Sequence, residues 1–386
     1  MKTITNTIDN SDKMEVQMKK TGLRGMIPLM VITFLFAAAC PADNGTDNTG
    51  KADNGHDNTG SNNDNNNTVN SSISGDFEWK RNSEGITITG YRGNGGSVEI
   101  PAEIDGDLVT VIGERAFYSK NISGITIPNS VTSIDDLAFW GNKLTGLIIP
   151  DSVRIIKKMG FHNNQLTSVT IGNGVVSIGA NAFSANNLRS VTIPDSVITI
   201  GESAFFGGIP GNTGSLTNVI IGDGVTTIWE QAFAGNQLTS ITMGNSITYI
   251  GWGAFARNRL TSVTIPDSVV SIMDSAFEEN QLTSVTIPDK VFVISEKAFY
   301  RNKLTNVIIG KSVTTIEGAA FGGYLDENDL SSITIGANVT LELAPHSSRD
   351  TDVWELFMRR DYDYYGKAAG TYLRHNYGYG FMWEKE

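Results

Sequence analysis

Residues able to do chemistry are few and scattered in this sequence. Its four histidines are His56, His162, His346 and His375, and no two of them have the spacing of paired metal ligands. No glycine-rich phosphate loop opens a helix anywhere in the chain. We therefore expect no enzymatic activity, no cofactor and no metal site.

Residues 41–75 are rich in Asn, Asp and Gly, a composition that raises the question of a calcium loop. The bidentate glutamate that closes such a loop is missing at the required distance. The segment contains two near copies of one decapeptide, DNGTDNTGKA and DNGHDNTGSN, and no large apolar residue before Val69. Such a composition cannot repay the entropy of ordering, so we predict a disordered tether from residue 40 to residue 75.

The single cysteine, Cys40, follows a short apolar run at residues 26–39 that has basic residues before it. This order is typical of a signal peptide, and the run is short for a membrane span. Its end, FAAAC, resembles a bacterial lipoprotein processing site, with alanine where leucine is more usual. We predict a signal peptide at residues 1–39, translated from Met18 or Met14, and a lipid on Cys40. The alternative is an ordinary cleavage site beside a spare thiol.

A phenylalanine returns every 22 residues in the rest of the chain, with one longer step of 28 in the middle. A fixed period of this length is typical of a solenoid, in which one supersecondary unit is stacked repeatedly. The repeated residues are Phe117, Phe139, Phe161, Phe183, Phe205, Phe233, Phe255, Phe277, Phe299 and Phe321.

One clean copy of the unit, residues 260–281, reads LTSVTIPDSVVSIMDSAFEENQ. Val263 and Ile265 alternate with polar residues, which predicts a short strand that ends at Pro266. The Ala-Phe pair that follows is predicted to lie on a short turn or a single helical turn.

An asparagine stands two positions before the leucine that opens most units. Asparagine tolerates left-handed backbone and bonds neighbouring main chain, so its recurrence predicts a ladder that satisfies the backbone where each coil turns over. The residues are Asn142, Asn164, Asn186, Asn236, Asn258, Asn280, Asn302 and Asn328.

The pattern LxxVTIPxSVxxIGxxAFxxN resembles the BspA-like leucine-rich repeats, the TpLRR subfamily, over about residues 77–341. The start of that region resembles the entry cap of the family. The resemblance implies a leucine-rich repeat solenoid on bacterial cell-surface or secreted proteins. Some members are implicated in attachment to host matrix proteins or to other bacteria, and the family has no catalytic residues to carry over.

We therefore predict a β-rich solenoid of about ten 22-residue coils with a cap at each end. The N-terminal cap is predicted at residues 76–121, the repeats at 122–345 and the C-terminal cap at 346–386. The repeat fails after Leu341, and the last segment holds ten aromatic residues. Covering the last coil is the predicted role of this segment. Carbohydrate or protein binding by its rings is the alternative.

The position after each repeated phenylalanine is the first candidate binding surface. It reads Tyr118, Trp140, His162, Ser184 and Phe206 in successive units, followed by small or charged residues. Stacked rings in adjacent coils would form an exposed aromatic stripe, and aromatic residues of this kind are enriched in binding hot spots. The alternative is that the rings only cover the edge of the solenoid.

The strand face and two insertions are further candidates. The outward strand positions are mostly threonine, and Ile148, Ile220 and Ile308 interrupt them. Threonine is simply a good strand former, although a regular array can also bind an ordered surface such as ice. The insertions at 207–214 and 322–329 are predicted to emerge as loops on one face.

The charge balance of the chain is acidic, with a formal net charge of −12. This argues against nucleic acid as a partner, and we expect no cationic patch on the surface. The sequence predicts a lipid-anchored adhesin on the outer-membrane surface of a bacterium, with an extracellular or cell-surface protein as partner. The alternative is a structural lipoprotein of the envelope with no external ligand.

Overall fold

The computed structural model describes residues 71–208, 214–322, 328–337, 339–341, 368–376 and 381–386. The predicted signal peptide, Cys40 and nearly all of the predicted tether lie outside these ranges. So do most of the two insertions and most of the aromatic C-terminal segment. In the ranges described, the chain forms strands and turns without an α-helix. The described residues include no helix with the length and hydrophobicity of a membrane span.

The strands are short because each coil turns within 22 residues. In chain order they are β1 (Ser71–Ser74), β2 (Phe77–Asn82), β3 (Gly85–Tyr91), β4 (Gly96–Glu99), β5 (Glu103–Ile104), β6 (Asp107–Ile112), β7 (Ile122–Thr126), β8 (Ser133–Ile134), β9 (Gly146–Ile148), β10 (Ile155–Ile156), β11 (Ser168–Thr170), β12 (Ser177–Ile178), β13 (Ser190–Ile193), β14 (Thr199–Ile200), β15 (Asn218–Ile221), β16 (Thr227–Ile228), β17 (Ser240–Thr242), β18 (Tyr249–Ile250), β19 (Ser271–Ile272), β20 (Ser284–Thr286), β21 (Val293–Ile294), β22 (Asn306–Ile308), β23 (Thr315–Ile316), β24 (Ser332–Ile335), β25 (Thr340–Leu341), β26 (Gly370–Asn376) and β27 (Phe381–Lys385).

One face of the solenoid is a continuous sheet that begins with an antiparallel meander. Its order is β1-β2-β3-β6-β8-β10-β12-β14-β16-β18-β19-β21-β23-β25, with β5 paired to the side of β6. From β3 onward this path is parallel, and equivalent residues of successive coils pair, as Ile134, Ile156 and Ile178 do. The predicted solenoid is confirmed, with about eleven coils instead of ten.

The extra coil comes from the region predicted as the N-terminal cap. Within residues 97–121 the chain already pairs like a coil, since β4 is parallel to β7 and β6 is parallel to β8. The predicted tether also ends before residue 75. Residues Ser71–Ser74 form β1, which pairs with β2 across a tight turn at Gly75 and Asp76.

The opposite face carries the longer strands and is divided into separate sheets. These are β4-β7, β9-β11, β13-β15-β17 and β20-β22-β24-β26-β27. The prediction of a strand at Val263 and Ile265 is wrong, because residues 262–266 form no strand. The coil still stacks there, through a long 3.3 Å bond from the Thr283 N–H to the Thr261 carbonyl. The repeated ladder bonds that define a strand are not formed.

The core is a column of stacked phenylalanine rings enclosed by Leu, Val, Ile and Ala side chains. From Phe117 to Phe321 the rings lie nearly parallel, and adjacent centroids are 4.9–5.5 Å apart. All ten rings are buried. The 22-residue period therefore places one ring on each coil at the spacing of parallel strands.

The predicted asparagine ladder is confirmed. Asn164 illustrates it: its side-chain Nδ2 donates to the carbonyls of Phe139 at 2.9 Å and Phe161 at 3.2 Å. Its Oδ1 accepts the N–H of Leu144 at 3.2 Å. One asparagine thus satisfies main-chain groups of two coils, in the buried interior where an unpaired group is costly.

The residues with left-handed backbone are neighbours of these asparagines, and the ladder asparagines themselves do not adopt it. It occurs two residues before every repeated phenylalanine, and again two residues after most of them. For example, φ is +55° both at Met159, two residues before Phe161, and at Asn163, two residues after it. These two reversals make the corner that carries the ring, so a turn forms there and not a helical turn.

The end of the chain adds an antiparallel hairpin to the strand face. Strand β26 pairs with β24 and then with β27. Tyr372 is fully buried, and its hydroxyl donates to the Ala368 carbonyl at 2.6 Å. Arg374 forms an ion pair with Asp329 at 2.6 Å. The hairpin covers the last edge of this sheet, the geometry expected of a solenoid cap.

Candidate functional site

The position after each repeated phenylalanine forms a surface column at the corner of the solenoid. The rings of Tyr118 and Trp140 stack with centroids 4.6 Å apart and planes 7° apart. Those of Trp140 and His162 stack at 6.2 Å and 14°. We call these three residues the aromatic stripe. The side chain of Tyr118 is 38% exposed, and those of Trp140 and His162 are half-buried.

The backbone fixes the spacing of the stripe. The carbonyl of Trp140 accepts the N–H of Ser119 at 2.9 Å, and the carbonyl of His162 accepts the N–H of Gly141 at 3.0 Å. Each ring is therefore attached to a main chain that is bonded to the neighbouring coil. The stripe is rigid before any partner arrives, which lowers the entropy cost of binding.

His162 completes the stripe as a neutral ring. Burial lowers the pKa of its imidazole, and the backbone of Asn181 opposes part of that shift. Its Nδ1 atom is buried and has no hydrogen-bond partner within the described residues. At neutral pH the stripe thus offers stacked faces without a charge of its own. The guanidinium of Arg115 lies 6.0 Å from the centre of the Tyr118 ring.

Beyond His162 the column does not continue as predicted. Ser184, expected on the surface, is buried, and its hydroxyl donates to the Phe206 carbonyl at 3.3 Å. Ser184 is small, and the larger residues at the same position of the two adjacent coils, His162 and Phe206, cover it. Phe206 is half-buried and is separated from the stripe by that coil.

The three isoleucines on the strand face lie apart from one another. Ile148 is 71% exposed, and Ile220 and Ile308 are also exposed. Each is flanked in register by threonine, for instance Ile220 by Thr192 and Thr242. Isolated apolar residues are common on protein surfaces, so these three form no continuous patch.

Sequence reasoning missed other accessible rings. Tyr300 is half-buried in the same column as the stripe, and its ring lies 5.4 Å from the guanidinium of Arg301. Trp252 and Phe292 are exposed in columns that are otherwise mostly polar or aliphatic. Each of these rings could have been found in the sequence as an aromatic residue in a column of other residue types. Such a residue becomes visible only when the units are aligned position by position.

The expectation of no cationic patch is wrong at one edge. Arg257, Arg259 and Lys303 are exposed at the corners that follow Phe255 and Phe299, and Arg301 lies among them. Glu279, on the coil between, accepts a hydrogen bond from Arg301 at 3.0 Å and lies 3.5 Å from Arg257. The overall acidic charge does not reveal this cluster, because it arises only when three coils are stacked.

Among the described residues, no group of three or more His, Cys, Asp or Glu side chains is arranged to hold a metal ion. Cys40 lies outside them, so the structure does not bear on its lipid. The described surface offers one rigid set of stacked rings, single isoleucines on a threonine-rich face, and a cationic edge.

The chain is similar to a known family and to solved structures. A family model described as BspA type Leucine rich repeat region matches residues 97–209 and 211–340 in six copies. The T. pallidum Leucine Rich Repeat protein is 26% identical, with a TM-score of 0.41, over 49% of this chain and 89% of that one. A leucine rich cell surface protein from Faecalibacterium prausnitzii is 22% identical, with a TM-score of 0.39, over 73% and 97%. A leucine-rich repeat protein from Bacteroides ovatus is 21% identical, with a TM-score of 0.45, over 70% and 76%. No curated protein matches the chain.

Proposed function

This chain belongs to the BspA-type leucine-rich repeat family, as its motif predicted, and we propose that it is a non-catalytic adhesin of the bacterial surface. The family suggests a surface or protein-binding role. A solenoid suits that role, since it offers a long regular surface and few deep pockets. Its partner in this proposal is an extracellular or cell-surface protein, and neither a nucleic acid nor a cofactor is involved.

The observation that carries the proposal is the aromatic stripe. Three rings in successive coils are stacked and held by backbone bonds, and the outermost, Tyr118, is the most exposed of them. Rigid aromatic residues lose little conformational entropy on binding and commonly anchor interfaces. Single isoleucines on the strand face are secondary contacts in this scheme.

The proposed position of the adhesin is the outer-membrane surface. A lipid on Cys40 would hold the chain to the membrane, and the residues up to about 70 would separate the solenoid from it. Two or more acyl chains give stable anchoring, as bacterial lipoprotein processing supplies. This part of the proposal is based on the sequence, since Cys40 lies outside the described residues.

Binding of the purified chain to immobilised matrix proteins tests the function. The double variant Tyr118→Ser and Trp140→Ser should bind at least about tenfold more weakly, since one anchoring aromatic is commonly worth about 2 kcal/mol. Tyr300→Ser, in the same column several coils away, serves as the matched control and should bind like the native chain. Circular dichroism checks that each variant is folded.

Two results would count against the proposal. If the double variant unfolds, the rings belong to the core and only cover the edge. If it is folded and binds fully, the stripe is not the site. Finding no matrix or cell-surface protein that binds the native chain would favour the alternative, a structural lipoprotein with self-contacts only.

A further inference from the structure

The asparagine ladder is interrupted in the middle of the solenoid, between Asn186 and Asn236. Each ladder asparagine except Asn328 stands three residues after a repeated phenylalanine. After Phe205 that position is Gly208, which has no side chain to donate or accept a hydrogen bond. This is the coil of the 28-residue step. The amide that joins neighbouring coils elsewhere is therefore missing here.

The interruption leaves two buried carbonyls with one side-chain bond in place of two. In the regular ladder a phenylalanine carbonyl accepts two asparagine amides, as that of Phe161 does at 3.2 and 2.9 Å. In the described part of the chain, the Phe183 carbonyl accepts only the Asn186 amide, at 3.0 Å. The Phe205 carbonyl accepts only the Asn236 amide, at 2.8 Å. Each thus has an unused lone pair at the interruption.

The interruption also leaves a buried donor without its acceptor. In seven coils the N–H of the first residue donates to a ladder asparagine, as Leu166 does to the Oδ1 of Asn186 at 3.1 Å. Leu188 opens the coil that lacks the asparagine. It is 3% exposed, and its N–H donates to no described residue. The same holds for the N–H of Leu216, which opens the next coil. Buried N–H groups are nearly always bonded, so a further acceptor is expected.

The coils have not moved together to supply that acceptor. The ring of Phe205 stacks on Phe183 with centroids 5.2 Å apart and on Phe233 at 5.3 Å. These distances lie within the range of the other stacked pairs, 4.9–5.5 Å. The stacking therefore continues unchanged through the interruption, and only the amide is lost.

A cavity of about 10 Å³ lies at this point. Its walls include Phe183, Leu188, Phe205, Leu216 and Asn236. All three residues that the missing asparagine would bond, Phe183, Leu188 and Phe205, are thus among them. The volume is about that of one water molecule.

We propose that this cavity is a binding site for one water molecule, which takes the place of the missing asparagine. The water oxygen accepts the N–H of Leu188, and its two O–H groups donate to the carbonyls of Phe183 and Phe205. Its second lone pair is available to the N–H of Leu216. Buried waters typically make about three hydrogen bonds, which this set of groups provides. The site does not depend on the proposed adhesive function.

Water suits these groups better than other small ligands. A metal or ammonium ion could bind the two carbonyls, but it has no lone pair for the N–H of Leu188. An apolar group would leave all three polar groups unbonded, at a cost for each. A carboxamide would match the bonds, as asparagine does elsewhere, but it is too large for the cavity. Only a ligand that donates twice and accepts at least once fits both the chemistry and the volume.

Nuclear magnetic resonance of the purified full chain tests the proposal. We expect a nuclear Overhauser effect between a long-lived water and the amide proton of Leu188. The amide proton of Leu166, which donates to Asn186, is the matched control and should show none. The Ser215 hydroxyl donates to the Leu188 carbonyl at 2.7 Å and could relay a signal by proton exchange. The effect should therefore persist in Ser215→Ala.

A variant that repairs the ladder gives a second readout. Deletion of residues 208–213 together with Gly214→Asn restores the 22-residue step and places an asparagine three residues after Phe205. The water effect at Leu188 should be lost in this variant. The same deletion with Gly214 kept is the matched control, and it should retain the effect. The repaired variant should also have the higher denaturant midpoint of the two, since its amide is covalently attached.

Several outcomes would overturn the site. No water effect at Leu188 in the native chain would mean that the cavity binds no long-lived water. Loss of the effect in Ser215→Ala would mean that the hydroxyl produced it. An equal effect at Leu166 would mean general access of solvent to the ladder, and its persistence in the repaired variant would place the water elsewhere. The native chain and Ser215→Ala decide the matter even if neither deletion variant folds.

Discussion

The ring of Phe183 stacks on that of Phe161 with centroids 5.5 Å apart and planes 9° apart. Phe205 stacks on its other face at 5.2 Å. Phe183→Ala therefore opens a cavity in the middle of a continuous ring column. We expect it to lower the free energy of unfolding by about 3 to 5 kcal/mol in denaturant titrations followed by circular dichroism.

The neighbouring Ser184→Ala is the internal comparison. Ser184 is buried, so the substitution removes a hydroxyl and its 3.3 Å bond to Phe206 but leaves the volume nearly unchanged. A cost of about 1 kcal/mol is expected. Equal midpoints for the two variants would contradict the repeat register.

A substitution in the asparagine ladder should be as costly as one in the core. Asn164→Leu leaves the Leu144 N–H without its buried partner, at about 1 to 3 kcal/mol. It also removes one of the two side-chain bonds to each of the Phe139 and Phe161 carbonyls, at about 1 kcal/mol each, while Asn142 and Asn186 keep the other. We expect a total loss of at least about 3 kcal/mol in thermal or denaturant unfolding.

Asn245→Ala is the matched control for the ladder. Asn245 is exposed, and its side-chain amide makes one weak contact, 3.4 Å from Asp223. Its removal should change stability by less than about 0.5 kcal/mol. A ladder variant as stable as this control would show that water replaces the lost bonds.

The stability of the solenoid should fall on acidification partly through His162. Since burial lowers its pKa, the folded state binds the proton less readily than the unfolded chain, in which the pKa is near 6.5. The unfolded state therefore takes up more protons as the pH falls through that value, and stability is lost below it. The full contribution is present above pH 6.5.

His162→Gln isolates this effect. We expect the denaturant midpoint of the variant to fall less between pH 7.5 and pH 5 than that of the native chain. Asp274, whose pKa is raised, acts in the opposite direction at lower pH and is common to both proteins. Parallel curves for the two proteins would mean that His162 titrates normally in the folded state.

Cys40→Ser should release the protein from the membrane without changing its thermal unfolding temperature. The predicted tether separates the cysteine from the strands, which begin at Ser71. Detergent phase partitioning of cell fractions measures the release. A variant that stays in the detergent phase would reject the lipid anchor, and a shift in unfolding temperature would place the cysteine in contact with the fold.

The solenoid could be predicted from the sequence because its information is repeated. Phe139, Asn164 and Ile178 each stand in a column whose other members carry the same signal, so the coil, its core and its ladder follow from period alone. Features that occur once gave no such signal. The strand absent near Val263 depends on bond lengths between coils, which no residue type reveals.

The candidate sites were only partly predictable, for a related reason. The aromatic stripe follows from alignment of the units, since Tyr118, Trp140 and His162 stand one period apart. Burial is different, because it depends on the size of the residues at the same position of the adjacent coils, and it is for this reason that Ser184 is covered.

Each residue of β10 and β12 pairs in parallel with its equivalent 22 positions later in the chain. This register has an evolutionary consequence. A duplication or deletion of one whole unit leaves every surviving bond with a partner of the same kind, while the antiparallel ends stay as they are. Lineages can therefore change the reach of the molecule in steps of one coil. When the event falls between two surface sites on different coils, it moves them apart or together by one unit, so the spacing of sites can vary without a new fold.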